Sequence, residues 1–218
     1  MRRTVLMVAT MALTLLVASG VALAVTKIGT NGPDTLRGTN KADNLLGNGG
    51  NDVLYALGGM DNLLGGEGKD WVLGGNERRA FGGNKNLLGG RGNDGVNGGI
   101  GSDTALGGSG NDYVYGHTGS DRVVGEEGDD LVWGGTYPET ARDVLSAGDG
   151  EDVVFVDNAT PAKDIVSCGS GFDRVGADSK DVVAPDCEKV FIGAAASRYF
   201  HRLVDSGYFD RFFEDLAQ

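Results

Sequence analysis

An aspartate returns every nine residues, and this spacing constrains the fold more than any other feature of the chain. Asp34, Asp43, Asp52, Asp61 and Asp70 keep it, and so do Asp94, Asp103, Asp112, Asp121 and Asp130. A looser set follows, with Asp143 and Asp152, Asp164 and Asp173, then Asp181. Two residues after each stands an apolar side chain. The series runs through Leu36, Leu45, Leu54, Leu63 and Val72, then Val96, Ala105, Val114, Val123 and Val132, to Leu145, Val154, Val166, Val175 and Val183. Two residues before the aspartate, glycine is usual, as at Gly50, Gly68, Gly92, Gly110 and Gly128. The unit is Gly-x-Asp-x-(Leu/Val).

Each position has a physical reason. Glycine lets a turn adopt positive φ at no steric cost. Aspartate is a short carboxylate suited to a hard cation that prefers oxygen. The apolar residue two places on belongs to a short strand and faces inward. Nine residues divide into a six-residue turn and a three-residue strand, and two units close one coil. Residue i then stacks on residue i+18. Asp34, Asp52 and Asp70 fall on one edge and Asp43 and Asp61 on the other. Asp94, Asp112 and Asp130 form one column further on, and Asp103 and Asp121 its counterpart. Neighbouring strands lie about 4.8 Å apart, so stacked carboxylates repel unless something neutralises them. A divalent cation between turns removes the repulsion and turns it into binding energy.

This pattern resembles the calcium-binding parallel β-roll repeats of secreted RTX toxins, hemolysins and bacterial metalloproteases, for which the nonapeptide is a known signature. Gly49-Gly50-Asn51-Asp52-Val53-Leu54, Gly99-Ile100-Gly101-Ser102-Asp103 and Gly108-Ser109-Gly110-Asn111-Asp112-Tyr113-Val114 carry the likeness, which spans roughly residues 29–192. It implies an all-β, right-handed parallel β-roll solenoid with a row of calcium ions on each edge, held by turn carbonyls and by aspartates from stacked turns. The ligands it implies are Asp34, Asp43, Asp52, Asp61, Asp70, Asp94, Asp103, Asp112, Asp121, Asp130, Asp143, Asp152 and Asp173. We expect about eight ions, with the best sites between Asp94 and Asp130, where oxygen ligands are densest and the glycines most complete.

The repeat departs from its pattern in several places. Near residues 77–90 there is a seam. Arg79 holds the aspartate phase with Phe81 inward, and in the shortened unit Gly83-Asn84-Lys85-Asn86-Leu87-Leu88, Asn86 stands where aspartate belongs. Arg79 either places a guanidinium beneath Asp61 in place of an ion or points to solvent. Lys41 and Pro33 make the first coil a weak or partial cap, as terminal repeats often are. Insertions near 136–141 and 157–163 read as surface loops. Cys168 and Cys187 are the only cysteines, and in an exported chain an even pair favours a disulfide that staples the last coil.

The ends read differently. Arg2 and Arg3, an apolar run from Val5 to Val17 and Ala22-Leu23-Ala24 form a signal-peptide pattern, giving a mature chain from about Val25. An uncleaved anchor is the alternative. Residues 193–218 form an amphipathic helical tail in which Ser197 reads as the N-cap. Tyr199, Phe200, Leu203 and Val204 make one apolar run, and Tyr208, Phe209, Phe212, Phe213 and Leu216 make a second. The tail either caps the open end of the roll or docks on a partner.

Composition narrows the function. Glycine accounts for 39 of 218 residues with only 4 prolines, which fits repeated turns rather than a Pro/Gly linker. A net charge of −12 opposes a nucleic-acid surface. No later stretch is apolar enough to cross a membrane. Two histidines cannot assemble an ordinary zinc site, no nucleophile elbow is present, and the glycines do not end in a phosphate-binding Gly-Lys-Ser/Thr. Tyr55, Trp71, Tyr113, Tyr115 and Trp133 offer a weak glycan-stacking patch. We expect a secreted, monomeric calcium-binding protein, not an enzyme, with a structural, surface or adhesive role and an extracellular protein or glycan as its partner. The alternatives are an accessory or secretion-associated module and, with less support, a hydrolase built on the solenoid surface.

Overall fold

Leu45, Leu63, Leu87, Ala105, Val123, Leu145 and Val166 stack in one inward row, and Leu54, Val72, Val96, Val114, Val132, Val154 and Val175 stack in a second row facing it. All are essentially sealed from solvent and together form one narrow core. These are the residues two places after the aspartates, with Leu87 resuming the series after the seam. The computed structural model describes residues 23–75, 85–135, 141–156 and 162–208. The leader pattern up to Ala22, Arg79, Phe81, most of the two insertions and the second apolar run of the tail beyond Tyr208 lie outside these residues.

The chain is all-β, a parallel β-solenoid of about eight turns with one short C-terminal helix. Alternate half-coils supply two sheets of nine strands each among the described residues. The first opens with Thr26–Ile28 and Asn44–Gly49 and closes with Ile165–Ser170 and Val182–Val183. The second opens with Thr35–Arg37 and Val53–Tyr55 and closes with Arg174–Ala177 and Lys189–Ile192. Every pairing is parallel, so each coil rests only on its neighbours. Many strands run six residues rather than the expected three, because ladder pairing continues past the inward side chain into the glycines, as at Leu64↔Leu88 and Gly66↔Gly90.

The seam corrects the expected register. Asn62 pairs with Asn86, and Trp71 with Gly95. One coil is therefore enlarged, and no shortened unit is interposed. Lys85, not Asn86, occupies the aspartate position and follows Asp61 in its column; the expectation for Arg79 lies outside the described residues. Asn86 instead continues an outer asparagine ladder, its amide donating to Asn62 Oδ1 at 2.9 Å.

The helix, α1 (Ala194–Asp205), also differs from expectation. It begins after Gly193, and Ser197 lies inside its first turn, since the preceding alanines are strong helix formers. It packs on the outer face of the second sheet, and the rest of the tail lies outside the described residues. Phe200 meets Trp133 and Phe155 at centroid distances of 5.4 and 5.0 Å, and Tyr199 stacks on Phe191 at 4.2 Å. Gly176 leaves room for the Phe155 ring, which a Cβ there would strike at 2.8 Å. The helix thus engages one end of the aromatic surface. Tyr115 is 7% exposed beside Trp133, so it presents no open stacking face, whereas Tyr55 remains exposed. The disulfide Cys168–Cys187 is formed, with Cys168 in the core of the closing coils.

Candidate metal centre

The turns carry their aspartates into two columns, one on each edge of the roll. The first runs Asp43, Asp61, Lys85, Asp103, Asp121, Asp143, Asp164 and Asp181, and the second Asp34, Asp52, Asp70, Asp94, Asp112, Asp130, Asp152 and Asp173. Within a column each carboxylate is tied to the coil before it. The amide of Asp52 donates to Asp70 Oδ1 at 2.8 Å, that of Asp94 to Asp112 Oδ1 at 2.7 Å and that of Asp103 to Asp121 Oδ1 at 2.7 Å. The same bond spans the irregular coils: Asp70 to Asp94, Asp121 to Asp143 and Asp130 to Asp152. The column register is the same on either side of the insertions.

Except at Asp34, these carboxylates are buried from Asp43 through Asp173. One oxygen is satisfied by the chain, and in most the other is not. Oδ2 of Asp52, Asp61, Asp70, Asp94, Asp103, Asp112, Asp130, Asp152 and Asp173 is buried without a hydrogen-bond partner. A buried carboxylate oxygen without a partner is costly, and its recurrence coil after coil points to a ligand rather than a packing fault.

The surroundings of that oxygen are built from backbone. A Cβ placed on Gly89 would lie 2.5 Å from Asp94 Oδ2 and 2.6 Å from the Gly107 carbonyl oxygen. One placed on Gly107 would lie 2.5 Å from Asp112 Oδ2 and 2.7 Å from the Gly125 carbonyl oxygen. The glycine five residues before most of these aspartates thus opens a cradle lined by a carboxylate and a carbonyl, while Ala56, Ala147 and Cys168 stand at that place before Asp61, Asp152 and Asp173. The glycine two before the aspartate does different work: Gly110 holds φ 133°, a backbone state that favours glycine.

Burial sets the electrostatics. Desolvation pushes Asp94 up to about 8, Asp130 to about 9, and Asp112 and Asp152 to about 7, against an ordinary 3.8. Asp61, Asp70 and Asp103 rise to about 6 for the same reason. Neighbouring carboxylates in the column add to the rise at Asp94 and Asp130.

The donor set fits a hard divalent cation. It is all oxygen, with one unsatisfied carboxylate oxygen per turn beside backbone carbonyls. Among the described residues no three acidic, histidine or cysteine side chains converge on one point. An ion would therefore draw most of its ligands from the backbone.

The structure ranks the sequence-derived ligands unevenly. Asp34 Oδ2 accepts from the Thr30 amide at 2.5 Å and its hydroxyl at 2.9 Å, which holds Asp34 below its usual range. Asp43 Oδ2 accepts from the Thr39 amide at 2.5 Å and its hydroxyl at 3.0 Å. Both carboxylates are occupied by the first coil, as a cap would have them. Sequence reasoning left out Asp164, fully buried in the first column, whose Oδ1 accepts from the Asp143 amide. It also left out Glu188, whose Oε2 accepts from the Asp173 amide at 2.9 Å and closes the second column. The phrase Glu188-Lys189-Val190 was the available signal, with glutamate in the aspartate phase. An outer ladder was missed too: the Asn111 amide reaches Asn93 Oδ1, and the Asp129 amide reaches Asn111 Oδ1.

A parallel solenoid with two columns of buried turn aspartates defines the class of calcium-binding β-rolls. The family model of the RTX calcium-binding nonapeptide repeat (4 copies) matches residues 28–63, 55–77, 82–105, 106–136 and 139–158, more than half of the chain. The chain belongs to this family. No curated protein matches it.

Proposed function

We propose that this is a secreted protein whose roll takes up calcium between stacked turns and folds as it does so. The observation that carries the reading is the unsatisfied Oδ2 that recurs in both columns. Asp52, Asp70, Asp94, Asp112, Asp130, Asp152 and Asp173 are the ligands of one edge, and Asp61, Asp103, Asp121 and Asp143 those of the other. Asp34 and Asp43 contribute least, because Thr30 and Thr39 already hold their carboxylates. Bound calcium supplies positive charge between coils. The chain orients one carboxylate oxygen through the amide of the preceding coil, keeps side chains out of the cradle with glycine, and excludes water by burial.

An exported chain would meet millimolar external calcium, which suits weak, numerous sites. The leader pattern ending at Ala24 supports the reading. A structural or surface role, acting through an extracellular protein or glycan, fits a chain whose repeat is built for metal-dependent folding.

The test is a calcium titration of the EDTA-treated mature chain, followed by circular dichroism with magnesium as control. We expect a cooperative gain of β signal with calcium alone. A full β signal in EDTA, with no calcium uptake, would overturn the reading.

A further inference from the structure

The first column contains one residue of opposite charge. Asn86 pairs with Asn62 on one side and Thr104 on the other, which sets Lys85 between Asp61 and Asp103. The backbone keeps the register of every other coil there: the Lys85 amide donates to Asp103 Oδ1 at 2.9 Å, and the Thr104 amide donates to the Lys85 carbonyl at 2.9 Å. Lys85 is 1% exposed, the largest fully buried side chain among the described residues. A lysine is almost never so buried unless its charge is compensated. Its ammonium lies 3.4 Å from the carbonyl oxygen of Ile100, three residues before Asp103. The enlarged coil does not by itself demand this exchange. On the opposite edge the same coil keeps its carboxylates, with the Asp70 amide donating to Asp94 Oδ1 at 2.7 Å.

We propose that Lys85 is a built-in cation: its ammonium takes the place of calcium between Asp61 and Asp103. The inference rests on the calcium reading above. It divides the first column into two calcium-dependent segments joined by a link that needs no metal. The charge is supplied covalently, so this level is neutralised at every calcium concentration while its neighbours await an ion. The seam becomes the point from which the edge is already assembled at low calcium.

Three variants test this, read by calcium ions bound per chain in native mass spectrometry and by the calcium midpoint of the β signal. Lys85→Asp completes the column and is expected to bind about one more ion than the native chain. Lys85→Met removes the charge while keeping bulk, and is expected to need several-fold more calcium to fold. Lys85→Arg should keep the native stoichiometry and midpoint. An unchanged ion count in Lys85→Asp, with calcium uptake intact in the native chain, overturns the proposal alone. So does a native midpoint in Lys85→Met, which decides the matter if Lys85→Asp does not fold. Absence of calcium uptake in the native chain overturns both this proposal and the reading beneath it.

Discussion

The backbone amide of Asp112 donates to Oδ1 of Asp130 at 2.8 Å, while Oδ2 of Asp130 is buried with no hydrogen-bond partner. One carboxylate serves two purposes: it joins two coils through one oxygen and keeps the other for a cation. The two functions are separable. Asp130→Asn can preserve the link through its amide oxygen but loses the charge, so we expect it to fold only at raised calcium and to bind fewer ions. Asp130→Ala also leaves the Asp112 amide buried without its acceptor, an added loss of about 1–3 kcal/mol. Calcium titrations of the two variants check the order.

The pH dependence should change sign with calcium. Asp94, Asp112, Asp130 and Asp152 have folded values raised to between about 7 and about 9, against 3.8 when unfolded. In EDTA the unfolded state sheds protons first. The stability these groups give the metal-free roll is therefore full below about pH 4 and is lost as pH rises towards 9. Calcium requires the ionised carboxylates, so the loaded protein gains stability over the same interval and releases protons on binding near neutrality. Circular dichroism against pH with and without calcium tests the crossing, and matching slopes in the two conditions would contradict it.

Glycine substitutions should divide by position. At Gly110, φ is 133° and a Cβ would strike the backbone carbonyl of Gly92, which cannot yield. Gly110→Ala is expected to cost at least about 1–3 kcal/mol. A Cβ on Gly32, two residues before Asp34, would meet nothing nearer than Thr30 Oγ1 at 3.8 Å, an ordinary contact, and Gly32→Ala should be nearly silent. Thermal denaturation of both variants at saturating calcium makes the comparison.

The disulfide closes a separation of 19 residues in the last coils. Its removal by Cys168→Ala with Cys187→Ser should destabilise that end by roughly 3 kcal/mol, the chain-entropy value for a loop of this size. Calcium uptake between Asp94 and Asp130 should be unchanged, since each coil rests only on its neighbours. Hydrogen exchange read along the chain would show loss of protection confined to the C-terminal strands.

Phe200 is the anchor of the helix, set between Trp133 and Phe155. Phe200→Ala is expected to weaken the docking of the helix by about 1–3 kcal/mol, as for a half-buried aromatic side chain, while the roll keeps its calcium response. A shift in Trp133 fluorescence towards that of a solvated indole, with an unchanged calcium midpoint, is the expected outcome. A lost calcium response would make the helix part of the roll's own stability.

The phase of the aspartates and the apolar residues two places later was enough to specify the parallel coil, both inward rows of the core and the two columns. These follow from local chemistry repeated at a constant interval: a turn that requires glycine, a short carboxylate, and a strand with one face inward. Tertiary structure decided what depends on the length of the connections between coils. From the spacing alone Asn86 takes the ligand position. The cross-coil ladder puts Lys85 there, because only pairing with Asn62 and Thr104 reveals how many residues the enlarged turn absorbs. The same holds for Asp34 and Asp43, whose carboxylates turn to Thr30 and Thr39, and for the helix, whose aromatic side chains find Trp133 and Phe155 on the outer face of the roll. Such contacts join residues far apart in the chain or alternative partners within one turn, and no period in the sequence distinguishes between them.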